Sequence, residues 1–187
     1  MVDFYDQNKI VLITLGIILL LFAVFVPAAV FYPAKVAFIT PEAELVGTSF
    51  WSLVLGGGGM VLLAAALFIA ALIEKPLTAW LLAGAAAAIG FVAIALSLGD
   101  YYYMTSERFT YNPPLSLVSS TYTWDEFERV EERLHQQDGA SAIESVAYYF
   151  HDGSVLEFSG GRIFEMHSSL ARRVETAGGG YTRIQSP

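Results

Sequence analysis

Three histidines, His135, His151 and His167, are the side chains with the most capacity for proton chemistry near neutral pH. A membrane-bound hydrolase would need something like His151, Asp152 and His167 drawn together, with an oriented imidazole as general base. The local spacing gives that idea little. No histidine belongs to a His-Glu-x-x-His motif or pairs with a carboxylate at i, i+4, and His167 follows Glu165 by two residues, off its helical face. His151-Asp152-Gly153 reads as a turn, where the aspartate serves turn geometry. Ser168-Ser169 lacks the nucleophile elbow and the Ser-x-x-Lys pattern of acyl-transfer enzymes. Gly56-Gly57-Gly58-Gly59 lies in an apolar run, without the strand, lysine and hydroxyl of a phosphate loop. The chain has no cysteine, so disulfides, thiolate catalysis and cysteine metal sites are excluded. The expectation is a protein that is not an enzyme, with no catalytic, cofactor-binding or metal-ligating residues.

The elements that would position any such group divide the chain in two. Residues 10–32, 50–73 and 78–98 are apolar runs with no charged residue. Each suffices to cross a hydrocarbon core of roughly 30 Å, which takes about 20 helical residues. The first run is too long for the apolar core of a signal peptide, which is about 7–15 residues, and it is preceded by acids as well as a lysine. Three transmembrane helices in residues 1–99, followed by a soluble domain over 100–187, are therefore expected. Pro27 should kink the first helix, and residues 33–49 read as the one sizeable loop, surface or re-entrant. Within the runs, only Thr14, Ser52, Thr78 and Ser97 carry aliphatic hydroxyls. Transporters and intramembrane enzymes place ionisable groups in their spans, so neither is expected.

Small residues mark helix contacts. Gly56, Gly57, Gly58 and Gly59 in the second run suit a tight crossing, or else a hinge or ligand-facing notch. Gly84/Ala88 and Ala86/Gly90 in the third are small-xxx-small pairs that suit a partner helix. The short Glu74-Lys75-Pro76-Leu77 connection makes runs two and three an antiparallel hairpin. Trp51, Trp80 and Tyr101-Tyr102-Tyr103 flank the runs as an interfacial aromatic belt would.

Beyond Asp100 the pattern is β-rich. Residues 102–111 and 115–122 read as strands around Asn112-Pro113-Pro114. Residues 143–150 and 154–158 flank the Asp-Gly turn of a hairpin. Residues 165–177 read as one helix, with Met166, Leu170 and Val174 on one face and Gly178-Gly179-Gly180 as its stop. The tail from Tyr181 has no strong pattern and is expected to be poorly fixed. Thr123-Trp124-Asp125-Glu126 satisfies a capping box, so residues 124–137 read locally as an amphipathic helix.

Two segments carry a resemblance. Tyr102-Tyr103-Met104-Thr105-Ser106-Glu107-Arg108-Phe109 and Tyr122-Thr123-Trp124-Asp125-Glu126-Phe127-Glu128-Arg129-Val130, followed by the hairpin and helix, make the chain similar to bacterial membrane proteins with a pleckstrin-homology-like (PH-like) domain after a few transmembrane helices. Met104 departs from that pattern, which has Ile or Leu there. The resemblance covers about residues 100–180. It implies a small β-barrel or bent sheet with one C-terminal helix, and a single helical turn at 124–128 leading into a strand. It also implies a bacterial inner membrane location with a cytoplasmic C-terminal domain. The positive-inside count does not choose, because Lys9 and Lys75 balance Lys35 and Arg108.

Net charge is −8. Residues 121–157 hold Asp125, Glu126, Glu128, Glu131, Glu132, Asp138, Glu144, Asp152 and Glu157 against Arg129 and Arg133. Nucleic acid and inositol phosphates are disfavoured as partners. The end of the chain differs, because Arg162, Arg172, Arg173 and Arg183 could meet anionic headgroups or a partner. The sequence reading is a membrane-anchored, non-catalytic interaction or scaffold protein. Its partners are the lipid bilayer and another membrane protein or further copies of itself. The other reading is an accessory subunit or immunity-type inhibitor of a membrane transporter or toxin.

Overall fold

In a computed structural model, residues 4–137 and 140–185 are described. The chain forms two compact units that exchange short segments. A helical unit takes Met1–Ile39, Ser49–Tyr101 and Pro113–Leu117, and a β-rich unit takes Thr40–Thr48, Tyr102–Asn112 and Val118–Pro187.

In the helical unit, α1 (Phe4–Phe22) stops short of Pro27. A π-helical turn (Pro27–Phe31) and α2 (Tyr32–Phe38) follow at 68° to it. Pro27 has no N–H to return to Ala23 and its ring crowds that carbonyl, so the chain turns there. The N–H of Tyr32 reaches back five residues to the Pro27 carbonyl, the wider π pattern. The helix continues through Pro33 to Phe38, so the first third of the expected 33–49 loop is helix. Proline is tolerated in a first turn, where its missing N–H would go unused.

Helices α3 (Phe50–Leu72) and α4 (Pro76–Gly99) are long and apolar enough to cross a membrane. The 23 residues of α3 rise about 34 Å. The first run joins them only if α1 and α2 are counted as one bent span. A Cβ on Gly59 would lie 2.7 Å from the Gly90 carbonyl oxygen, and one on Gly90 2.8 Å from that of Gly59. A Cβ on Gly56 would meet Ser97 Oγ at 2.8 Å, and one on Gly57 the Ala23 carbonyl at 2.8 Å. Gly58 and Gly84 face open space, and Ala88 is exposed.

The β-rich unit holds two four-stranded sheets. The first has the order β1 (Leu45–Gly47), β2 (Tyr101–Met104), β3 (Arg108–Asn112), β4 (Ser120–Thr123). Strand β1 comes from the stretch read as loop, and pairs Val46 with Tyr103. Tyr102 is buried in the core, not part of an interfacial belt. The expected 115–122 strand shrinks to 120–123, after Leu115 takes a left-handed conformation (φ 66°).

The second sheet has the order β7 (Val155–Phe158), β6 (Ala140–Phe150), β5 (Phe127–Gln137), β8 (Gly180–Gln185). The Trp124–Glu126 capping box forms but closes only one 3-10 turn, and the chain then extends as β5. Strand pairing defeats the local helix pattern because β5 is flanked on both sides, antiparallel by β6 and parallel by β8. The hairpin forms at the Asp-Gly turn, with Tyr149 opposite Val155 and Gly153 at φ 84°.

The helix expected at 165–177 forms as α6 (His167–Thr176), and a further short helix, α5 (Gly161–Glu165), precedes it across Met166. Gly178, at φ 102°, ends α6, with the Gly179 N–H on the Val174 carbonyl. The chain then runs on as β8, from Arg129↔Gly180 to Leu134↔Gln185. The tail is thus a strand rather than a loose end, and the expected C-terminal helix, α6, stands between a further short helix and that strand. Residues 186–187 and Asp138 lie outside the described residues. Phe127 sits at the middle of the core, 5.4 Å from the Trp124 ring and 4.5 Å from the Phe150 ring. Leu170, Ala171 and Val174 of α6 pack onto the same cluster. Such aromatic contacts contribute about 0.5–1.5 kcal/mol each beyond area burial.

Candidate functional site

Each unit buries a polar cluster. In the β-rich unit the centre is Glu132 on β5, 1% exposed. Successive strand residues face opposite sides, so Glu132 points one way and Glu131 the other. A carboxylate in such a place needs partners, because its desolvation costs several kcal/mol.

The partners come from α6 and β8. Arg183 Nε donates to Glu132 Oε2 at 2.9 Å and to the Tyr181 hydroxyl at 2.7 Å. His167 Nε2 lies 3.3 Å from Glu132 Oε1. Its Nδ1 lies 2.7 Å from the Phe164 carbonyl oxygen. A carbonyl only accepts, so Nδ1 carries a hydrogen. Attraction on the other side then requires one proton between Nε2 and Oε1. Both ring nitrogens are engaged, and the imidazole has none to offer a substrate. The hydrogen bond to Glu132 holds Arg183 still more firmly protonated. Burial first, and then the hydrogen bond to Glu132, push the Tyr181 phenol up. Burial and then the Glu132 charge do the same to Tyr148, whose hydroxyl has no hydrogen-bond partner among the described residues. The cluster clamps α6 and β8 to β5.

On the opposite face, Arg133 bridges Glu131 at 3.2 Å and Glu157 at 2.8 Å, and Ser145 donates to Glu157 at 2.5 Å. His151 and Asp152 occupy the exposed hairpin turn, where Asp152 Oδ1 accepts the Ser154 N–H at 2.8 Å. His135 is exposed on β5. His167 therefore works with Glu132, apart from the histidine-aspartate pair that a hydrolase would recruit. Among the described residues, no three His, Asp or Glu side chains converge as metal ligands would.

The four arginines have different settings. Arg162 and Arg172 are exposed on α5 and α6. Arg173 pairs with Glu44, donates to the Thr105 carbonyl at 3.3 Å and lies 5.5 Å above the Trp124 ring. Arg183 is the Glu132 partner.

The helical unit holds a second cluster. Lys35, read from sequence as a loop residue, is on α2 and only 6% exposed. Its ammonium donates to Ser52 Oγ at 2.6 Å and to the Asp100 carbonyl at 2.7 Å. Ser52 Oγ donates to the Ser97 carbonyl at 2.8 Å, and Ser97 Oγ returns a bond to the Ser52 carbonyl at 2.7 Å. The Ser49 hydroxyl binds the Asp100 carboxylate. Two of the sparse hydroxyls in the apolar runs thus tie α3 to α4 and seat a lysine from α2. Their sparseness was the available signal, but it did not name Lys35.

No family model and no curated protein matches the chain. Among solved structures it is similar to the C-terminal domain of an unknown protein from Leishmania infantum, at 10% identity over 41% of this chain and 70% of that one. The TM-score is 0.30, a likeness too slight to carry a fold or a function.

Proposed function

We propose that the chain is a non-catalytic, membrane-anchored recognition protein of the bacterial inner membrane. Its bent α1–α2 pair serves as a third span beside α3 and α4, and its β-rich unit is a PH-like module offered to a protein partner from the cytoplasmic side. The observation that carries this reading is the inward commitment of the buried charges. Glu132 is consumed by His167 and Arg183, and both His167 nitrogens are occupied. The polar interior thus spends itself on holding strands and helices.

What remains for a partner is an acidic outer surface and the exposed sheet edges at β4, β7 and β8, whereas β1 is buried along its length. An open edge can accept an added strand through backbone hydrogen bonds. The mostly antiparallel sheets and the packing of α6 on an aromatic core favour the PH-like assignment. The parallel β8 departs from the one-helix ending that the resemblance implies.

Purification of the full chain in mild detergent tests the proposal. A stoichiometric membrane-protein partner or a defined homo-oligomer is expected, and a strict monomer with nothing bound contradicts it. A reporter fused after the C-terminus should be active in the cytoplasm, and export of that reporter would reverse the orientation.

A further inference from the structure

The segment between β3 and β4 is apolar where a surface turn would be polar. From Pro113 to Val118 it reads Pro-Pro-Leu-Ser-Leu-Val, without a charge. Leu115 and Leu117 are 69% and 73% exposed. Leu115 also holds a left-handed backbone that leucine rarely adopts, in a turn closed by the Ser116 N–H on the Pro113 carbonyl at 3.2 Å.

Residues Pro113–Leu117 belong to the helical unit, although the strands on both sides of them do not. Pro114 and Leu115 line an apolar cleft of about 340 Å³ with Trp51 and Leu55, in the first two turns of α3. Phe50, Trp51 and Val54 expose apolar surface on those same turns. The loop therefore extends the outer surface of α3 at its N-terminal end. Tryptophan at a helix end marks the level of the lipid headgroups.

We infer that this loop is a second, shallow membrane contact, in which Leu115 and Leu117 enter the acyl-chain boundary beside Trp51. The partner is lipid, because the exposed leucines are continuous with α3 surface that lipid would cover. This rests on the proposed reading of α3 as a span.

The absence of cysteine permits a direct test with single substitutions carrying an environment-sensitive fluorophore in the full chain. The sites are Leu117→Cys, Val61→Cys in the middle of α3, and Asp152→Cys on the exposed hairpin turn. Each variant is reconstituted into phosphatidylcholine–phosphatidylglycerol vesicles containing lipids spin-labelled either near the headgroup or deep in the chain, or with iodide on both sides. The label at 117 should be quenched by the shallow spin label at least about twofold more than by the deep one, and be shielded from iodide. The label at 61 should prefer the deep quencher, and the label at 152 should respond to iodide alone. If 117 behaves like 152 while 61 is quenched by lipid, the loop contact is wrong and the anchor stands. Shielding of 117 from iodide without lipid quenching means a second copy or another protein covers it, which also overturns the inference. If 61 is not quenched by lipid either, the spanning reading fails with it.

Discussion

Glu132 Oε1 lies 3.3 Å from His167 Nε2, and the far side of that ring is fixed by the Phe164 carbonyl. One buried carboxylate on a central strand thereby locks the first turn of α6, while Arg183 uses its other oxygen to lock β8. Removing the carboxylate strands a histidine whose orientation is already set. Glu132→Ala should cost about 2–4 kcal/mol, below the upper range for a broken buried pair because Arg183 is largely solvated. His167→Gln, which removes one of two partners, should cost about 1–2 kcal/mol. Denaturant unfolding of the detergent-solubilised full chain, followed by near-ultraviolet dichroism, reads both, and a neutral Glu132→Ala would contradict the clamp.

Tyr148 buries a hydroxyl with no partner beside the same carboxylate. Tyr148→Phe removes that unsatisfied group and should stabilise the protein by about 1 kcal/mol. Burial raises the phenol in the folded state above its unfolded value near 10. The neutral form is favoured by folding, so its contribution is complete below about pH 10 and is lost as pH rises beyond it. Wild type should lose stability between pH 10 and 11 more steeply than Tyr148→Phe, as measured by thermal melts across that range. Parallel pH profiles would show that Tyr148 ionisation is not coupled to folding.

The α3–α4 crossing gives a contrast within four consecutive glycines. Gly59→Ala forces a Cβ to 2.7 Å from the Gly90 carbonyl and should cost about 1–3 kcal/mol. Gly58→Ala meets open space and should be neutral or gain up to about 1 kcal/mol through helix propensity. Thermal melts of the two variants in one detergent settle the comparison. Equal effects would mean that the crossing does not depend on backbone contact at Gly59.

Ser52 accepts from Lys35 and donates to Ser97. Ser52→Ala leaves the ammonium with one fewer acceptor in a buried place and should cost about 1–3 kcal/mol. Lys35→Met also takes away the charge that faces the buried Asp100 carboxylate, and should cost more than Ser52→Ala. The same detergent melts compare the two, and a smaller loss for Lys35→Met would contradict the charge pairing.

The sequence made α3 and α4 legible because an uninterrupted apolar run has few other uses. It also made the hairpin legible, because Asp152-Gly153 supplies the left-handed residue the turn needs. The capping box at Thr123 was read correctly as a local motif, yet it is followed by strand β5 because two neighbours claim its backbone. Strand β8 was missed for the same reason in reverse: residues 180–185 alternate weakly, and their order comes from a parallel partner about 50 residues earlier. Met166 heads the apolar periodicity that α6 follows, and nothing in that periodicity announces the short α5 before it. The Glu132 cluster joins three elements, and Lys35 was hidden by a boundary drawn at Tyr32. Contacts of that sequence separation leave no local trace, so neither buried cluster could be assembled from spacing.

The membrane anchor is the claim on which the other readings depend, and alkaline carbonate extraction of membranes from cells making the full chain tests it most directly. The account predicts that the protein stays in the sedimented bilayer and is released only by detergent. Release into the carbonate supernatant, followed by recovery as a folded and monodisperse species in plain buffer, would contradict it.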